Sequence, residues 1–129
     1  MSKYSKCLIR KRLVANTPEE RVRQSLLEKM IHSLGFPKGL ISIEKGIGAR
    51  RYDLVCYTRS MTPLLLVECK ATPLNDAVVQ QAFGYNATLK APFICLSSPT
   101  ETKTLWQEKG KIAAVPFLPM YSELLEKNG

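Results

Sequence analysis

Apolar and polar positions follow two rhythms along this chain. Val22, Leu26, Leu27, Met30, Ile31 and Leu34 recur at helical spacing, so a helix with one core-facing stripe is predicted from Thr17 to about Leu34. Its start is clearly marked. Thr17 is a good N-cap, Pro18 suits the first helical position, and Glu20 completes a capping box. Gly35 closes the helix and Pro37 prevents its resumption. The rhythm then shortens. Leu40 to Glu44 reads as a strand, Gly46-Ile47-Gly48 as a turn, and Arg51 to Tyr57 as a second strand. Pro63 to Cys69 is a nearly continuous apolar run, as expected of a strand buried on both faces. A second helix is predicted after Pro73, to about Lys90, with Leu74, Ala77, Val78, Gln81, Ala82 and Tyr85 on related faces. Phe93 to Leu96 is a short buried strand. Further on, the pattern predicts a short helix over residues 101–109, a strand over Ala113 to Phe117, and a helix over Met120 to Lys127. One short strand is expected at Cys7 to Val14. The core order α-β-β-β-α-β implies an α/β fold with a mixed sheet flanked by helices.

A length of 129 residues with 45% hydrophobic content suits one domain over 1–129. We expect its core at about 16–98, a basic arm at 1–16 and a C-terminal extension at 99–129. No apolar run approaches the roughly 18 residues a membrane helix needs. The start of the chain lacks the apolar stretch of a signal peptide. Cys7, Cys56, Cys69 and Cys95 form no CxxC pair and no zinc spacing, and three of them lie in apolar runs. A reduced, cytoplasmic protein without membrane partners is the simplest expectation. His32 is the only histidine, which argues against a Ser-His-Asp triad and a His-rich metal site; we expect it at the surface. No Walker-type phosphate loop occurs, so no nucleotide motor of that kind is expected. Trp106, Phe117 and Tyr121 are expected to pack the C-terminal segment onto the core. The net charge of +8 favours a polyanionic partner, nucleic acid first.

The chemistry concentrates in two adjacent predicted strands, Arg51-Tyr52-Asp53-Leu54-Val55 and Leu66-Val67-Glu68-Cys69-Lys70. Strand side chains alternate, so Glu68 and Lys70 share a face. A hairpin turning near Ser60 and Met61 brings Asp53 roughly opposite Glu68, with β-carbons ~5 Å apart. Two like charges so placed are destabilising unless neutralised, and a hard divalent cation with oxygen ligands is the natural neutraliser. Lys70, one pleat on, can hold a water or stabilise charge developing on a phosphate. The same spacing is also met on plain solvated strand faces. Here, however, the acids end apolar runs, where a sheet meets solvent.

In the first helix, Glu19 lies within the apolar face defined by Val22, Leu26 and Met30, counting ~100° per residue. Glu20 falls toward its edge and has a capping role. Glu19 is therefore expected to be the inward-pointing acid, although both also suit a helix dipole. Arg23, one turn after Glu19, faces either the same site or a phosphate backbone. Gln81 and Tyr85 are four apart on the second helix and share a face. An amide and a phenol there can bind phosphate oxygens or water near the carboxylates.

Asp53 followed by Glu68-Cys69-Lys70 resembles the D…(D/E)xK signature of the PD-(D/E)xK, restriction-endonuclease-like nuclease superfamily. Four segments are similar, in order and spacing, to the N-terminal nuclease domain of type I restriction enzyme R subunits: Thr17 to Gln24, Arg51 to Val55, Leu65 to Ala71, and Gln81 to Asn86. The resemblance covers about residues 16–98. Tyr52 stands where the signature has proline, a position that varies widely. The resemblance implies a restriction-endonuclease-like fold and metal-dependent hydrolysis of DNA phosphodiesters. It implies that Asp53, Glu68 and the Cys69 backbone carbonyl bind Mg2+, with Mn2+ able to substitute, and that Glu19 serves a second metal or its water shell. It assigns Lys70 to the attacking water and transition state, with Gln81 and Tyr85 as accessory residues.

Basic residues are expected to meet the DNA. Arg50 and Arg51 follow the glycine turn, and Lys11 and Arg12, with Lys3, Lys6 and Arg10, form an arm able to track phosphates. Cutting both strands with one small site is easier for a homodimer, and separate helicase or specificity subunits are further expected partners. Two competing readings differ in class: a noncatalytic nucleic-acid-binding module with the same fold, and a protein-interaction subunit in which Asp53 and Glu68 are structural.

Overall fold

The computed structural model describes residues 4–6, 13–15, 17–47 and 50–129, with the backbone alone for 4–6, 13–15, 44–47 and 50–51. The expected arm strand at Cys7 to Val14 lies largely outside the described residues. Short strands β1 (Tyr4–Lys6) and β2 (Leu13–Ala15) pair antiparallel at its ends. The main elements are α1 (Pro18–His32), β3 (Ile41–Ile47), β4 (Arg50–Tyr57), β5 (Pro63–Cys69), α2 (Asp76–Leu89), β6 (Phe93–Ser97), β7 (Thr102–Glu108), β8 (Lys111–Val115) and α3 (Tyr121–Asn128).

Strands β3 to β8 form one six-stranded sheet in chain order. Every neighbouring pair is antiparallel except β5 and β6, which run parallel with α2 as their crossover. The sheet is thus mixed, flanked by helices. On one face α1 and α3 cover Leu54, Cys56, Leu65, Val67, Phe93 and Cys95. On the other, α2 covers Tyr52, Val55 and Leu66, and further along Ile94, Leu96 and Leu105. Leu64 to Cys69 are all buried, because β5 is central and covered on both faces. Cys56, Cys69 and Cys95 are buried free thiols whose pKa values burial pushes up, so they act as small core hydrophobes.

Local signals explain the helix boundaries. Thr17 caps α1, its Oγ1 accepting from the Glu20 N–H at 3.1 Å. Gly35 adopts φ +72° beyond the helix end, where a side chain is disfavoured. Asn75 caps α2 by accepting from the Val78 N–H at 3.0 Å. Among the described residues no helix is long and apolar enough to cross a membrane.

Two expectations fail beyond residue 98. The predicted helix over 101–109 is instead strand β7. Without it the edge of β6 would lie unpaired; β7 pairs it through Ile94–Leu105 and Cys95–Thr104. The missed signal is the Lys109-Gly110 turn, both residues at positive φ (52° and 77°), which joins β7 and β8 as a tight hairpin. Phe117 does not pack inward. It is 50% exposed, and Leu118 takes the core position instead. Trp106 and Tyr121 behave as expected: Trp106 meets Phe93 edge-on at 6.0 Å, and Tyr121 meets Phe36 at 5.3 Å. The Tyr121 hydroxyl also donates to the Tyr57 carbonyl at 2.8 Å, tying α3 to the end of β4. His32 is exposed.

Because β5 is enclosed by both layers, Leu65→Ala is expected to cost ~2–5 kcal/mol in urea unfolding. Ile112→Ala, at a position 56% exposed, is expected to change stability by no more than about 0.5 kcal/mol.

Candidate active site

The site forms where β4 and β5 meet the first turns of α1 and the middle of α2. The β4–β5 ladder ends at Leu54–Val67, and Asp53 and Glu68 stand just beyond that pair, close enough for the charge of Asp53 to act on Glu68. The hairpin turns at Met61, as expected, with the Thr58 N–H bonded to the Thr62 carbonyl at 2.8 Å. Asp53 Oδ2 accepts from the Cys69 N–H at 2.7 Å. A residue's N–H and C=O leave a strand on the same side. The Cys69 carbonyl therefore points to the edge of β5 on which Asp53 sits. Asp53 Oδ1 accepts from Arg23 Nη2 at 2.9 Å.

Glu68 is 5% exposed, and its Oε1 has no hydrogen-bond partner among the described residues. An unsatisfied carboxylate oxygen in a buried place is costly. Burial first, and then the negative charge of Asp53, push the Glu68 pKa from its ordinary 4.5 up to about 8; Lys70 works in the opposite direction. Asp53, by contrast, has both Arg23 and the Cys69 N–H as partners. Arg23 is held cationic. Burial alone would lower its pKa, but the charges of Asp53 and Glu20 outweigh that and raise it.

The helix acid that turns inward is Glu20, not Glu19. Glu19 is exposed, whereas Glu20 is 5% exposed and bonds Arg23 Nη1 through Oε1 at 2.6 Å and Gln24 Nε2 through Oε2 at 2.9 Å. On a helical wheel both acids lie within roughly 60° of the buried stripe's centre, so angle does not choose between them. The sheet chooses. Arg23 reaches across to Asp53, and Glu20 is the acid one turn before it on that side. The usable signal was the spacing Glu20, Arg23, Leu27, Met30, which extends the stripe back by steps of three and four. Arg23 is 6% exposed and turned into the site, so of its two expected orientations the one toward an outer phosphate backbone is not adopted.

The second helix delivers its pair. Gln81 Nε2 donates to the Tyr85 hydroxyl at 2.8 Å, and Gln81 Oε1 accepts from Lys70 Nζ at 3.4 Å. Lys70 is half-buried, and its backbone N–H donates to the Ser97 carbonyl at 2.8 Å. Tyr52, in the position before Asp53, donates from its hydroxyl to the Tyr85 carbonyl at 2.9 Å, a link the sequence did not suggest. It ties the start of β4 to α2. Arg50 and Arg51 belong to β4, but their side chains are outside the description. Lys11 and Arg12 lie outside the described residues, and so does most of the arm.

The donor set suits a hard cation: two opposed carboxylates, one with an unsatisfied buried oxygen, beside a backbone carbonyl. Among the described residues no group of three His, Cys, Asp or Glu side chains gathers as a metal cage. A cleft of about 690 Å3 lies on the outer side of α1, between Arg21, Ser25 and Lys29 and the turn at Ser98 to Thr100. It does not include Asp53 or Glu68. The carboxylates lie at the sheet end instead, Glu68 buried and Asp53 partly exposed.

The fold is an α/β module, a mixed six-stranded sheet flanked by helices, with two acids set together at the end of its central strands. The family model for the type I restriction enzyme R protein N terminus matches residues 18–119, most of the sequence, and the chain belongs to that family. The match reaches past residue 98 and takes in the β7–β8 hairpin. The fold is similar to the fragment structure of a protein assigned as the HsdR subunit of a type I restriction enzyme from Vibrio vulnificus YJ016, with TM-score 0.62 and 18% identity. That similarity covers 98% of this chain and 26% of that one, so the chain spans about a quarter of its structural relative. No curated protein matches the chain. It is a nuclease-like module of the R-subunit type.

A raised acid pKa has a definite consequence for stability. Between pH 4.5 and about 8 the folded chain keeps a proton on Glu68 that the unfolded chain has lost. The contribution of Glu68 therefore falls as pH rises through that window, by on the order of a few kcal/mol in all. In metal-free urea titrations the wild type is expected to lose stability relative to Glu68→Gln from the lower to the upper end of this range. Parallel pH profiles for the two proteins would contradict the assignment.

Proposed function

We propose that this domain is a magnesium-dependent DNA endonuclease module. Asp53, Glu68 and the Cys69 carbonyl would hold the ion, for which Mn2+ would substitute. The observation that carries the reading is the buried Glu68 Oε1, without a hydrogen-bond partner among the described residues, beside Asp53. Membership of the R-protein N-terminal family supports it. A bound divalent ion supplies polarisation of the scissile phosphate and a lowered pKa for the attacking water.

The chain's own residues perform the remaining tasks. Asp53 is held in one orientation by Arg23 and the Cys69 N–H, so its carboxylate is set before substrate arrives. Glu68 would hold the ion in its ionised form, its proton having passed to solvent. Lys70, steadied by Gln81, places a positive charge where negative charge grows on the phosphate. Tyr85 fixes Gln81 from behind, and Tyr52 anchors the turn of α2 that carries Tyr85. Arg50, Arg51, Lys11 and Arg12 would grip neighbouring phosphates, which confers affinity and salt sensitivity without sequence choice. The substrate would be DNA. Because the chain spans a quarter of its structural relative, a motor and specificity function would come from further domains or separate subunits. A second copy would supply the cut on the other strand. Action on DNA and the buried free thiols among the described residues support a cytoplasmic location.

Incubation with supercoiled plasmid tests this reading. Nicking is expected with Mg2+ or Mn2+ and not with EDTA. Glu68→Ala and Lys70→Ala should each lower the rate by at least about 100-fold, as loss of a group acting in the transition state does. Salt-sensitive DNA binding without nicking, indifferent to both substitutions, would reduce the domain to a noncatalytic binding module.

A further inference from the structure

We propose that Arg23 is the protein's own occupant of a second-cation position, so that the site takes one divalent ion and not two. This rests on the metal reading of Asp53 and Glu68 given above. In a two-ion phosphodiester site the ions stand ~3.5–4 Å apart and share a carboxylate. Asp53 is the carboxylate placed to be shared. On one side it faces Glu68; on the other, its Oδ1 already accepts from Arg23 Nη2 at 2.9 Å. Arg23 Nη1 continues to Glu20 Oε1 at 2.6 Å. Glu20 would be the outer ligand of a second ion, but its Oε2 is also taken, by Gln24 Nε2 at 2.9 Å. The guanidinium thus lies between the two acids that a second ion would need.

Burial makes the arrangement hard to undo. Glu20 and Arg23 are 5% and 6% exposed, so moving the guanidinium aside would strand the Glu20 carboxylate away from water. Among the described residues, Glu20, Asp53 and Glu68 bring three negative charges when ionised, and Arg23 with one divalent ion brings three positive ones. A fixed arginine also differs from an exchangeable ion, because its position does not depend on metal concentration.

Mn2+ uptake by the whole chain, measured by calorimetry and by the spin-resonance signal of free Mn2+, tests the proposal without using activity. The wild type is expected to take one ion, and Glu68→Gln none. Arg23→Gln is expected to take two, the second disappearing when Glu20→Gln is added. A wild type that takes two ions, falling to one in Glu20→Gln, overturns the proposal. A folded Arg23→Gln that still takes one ion with unchanged affinity does so equally. Should Arg23→Gln fail to fold, Arg23→Lys keeps the charge and must take one ion; two would overturn the proposal. A wild type that takes none overturns the metal reading itself, and is readily told apart from one that takes two.

Discussion

The register between β4 and β5 sets two carboxylates against one another at the end of a buried strand, and much of the molecule answers to that placement. Glu68 continues a run of side chains from Leu64 onward that is sealed between two helical layers. Asp53 is carried to the same point by Leu54 pairing with Val67. Two anions there repel in surroundings that screen poorly. The protein responds with a proton on Glu68, with Arg23 and a backbone N–H on Asp53, and with Lys70 close by. Each of these compensates only part of the charge. An unsatisfied oxygen is left on Glu68. A packed core normally avoids such a cost.

The surrounding fold makes this placement rigid. β5 can be apolar on both faces only because α1 and α3 cover one side and α2 the other. The same helices bring polar residues to the strand ends: Glu20, Arg23 and Gln24 from α1, and Gln81 and Tyr85 from α2. The β7–β8 hairpin pairs the far side of β6, so the parallel β5–β6 pair is enclosed on both sides within the sheet. α3 then closes over the core through Tyr121 and Leu124. The last quarter of the chain is therefore part of the sheet and core that hold the site, consistent with a family match extending to residue 119.

Arginine is well suited to the place it holds. Its planar fork reaches two carboxylates at once, and it does not lose its proton. A lysine would offer one point of charge on a mobile stem. Between Glu20 and Asp53 the guanidinium sets the distance of α1 from the sheet end and fixes one wall of the site.

Several features are local enough to be read directly from the chain. A helix with Thr17 as cap, a central strand from Pro63 to Cys69, a hairpin at Met61, and an acid facing Glu68 across it follow from spacing and turn chemistry, which act over a few residues. The pairing of Gln81 with Tyr85 follows from helical spacing alone. Other features depend on contacts between distant segments. Whether Glu19 or Glu20 turns inward depends on the side of α1 from which Asp53 is approached, thirty residues away from Arg23. Residues 102–108 are a strand because β6 offers them an edge, a demand their own composition does not express strongly. Phe117 yields its core position to Leu118 because Thr104 Oγ1 donates to the Phe117 carbonyl at 2.8 Å and fixes the chain there. Local periodicity determined which elements exist and where the acids lie along them. Tertiary structure alone decided which charges meet, since an ion pair depends on distance in space and not on distance along the chain.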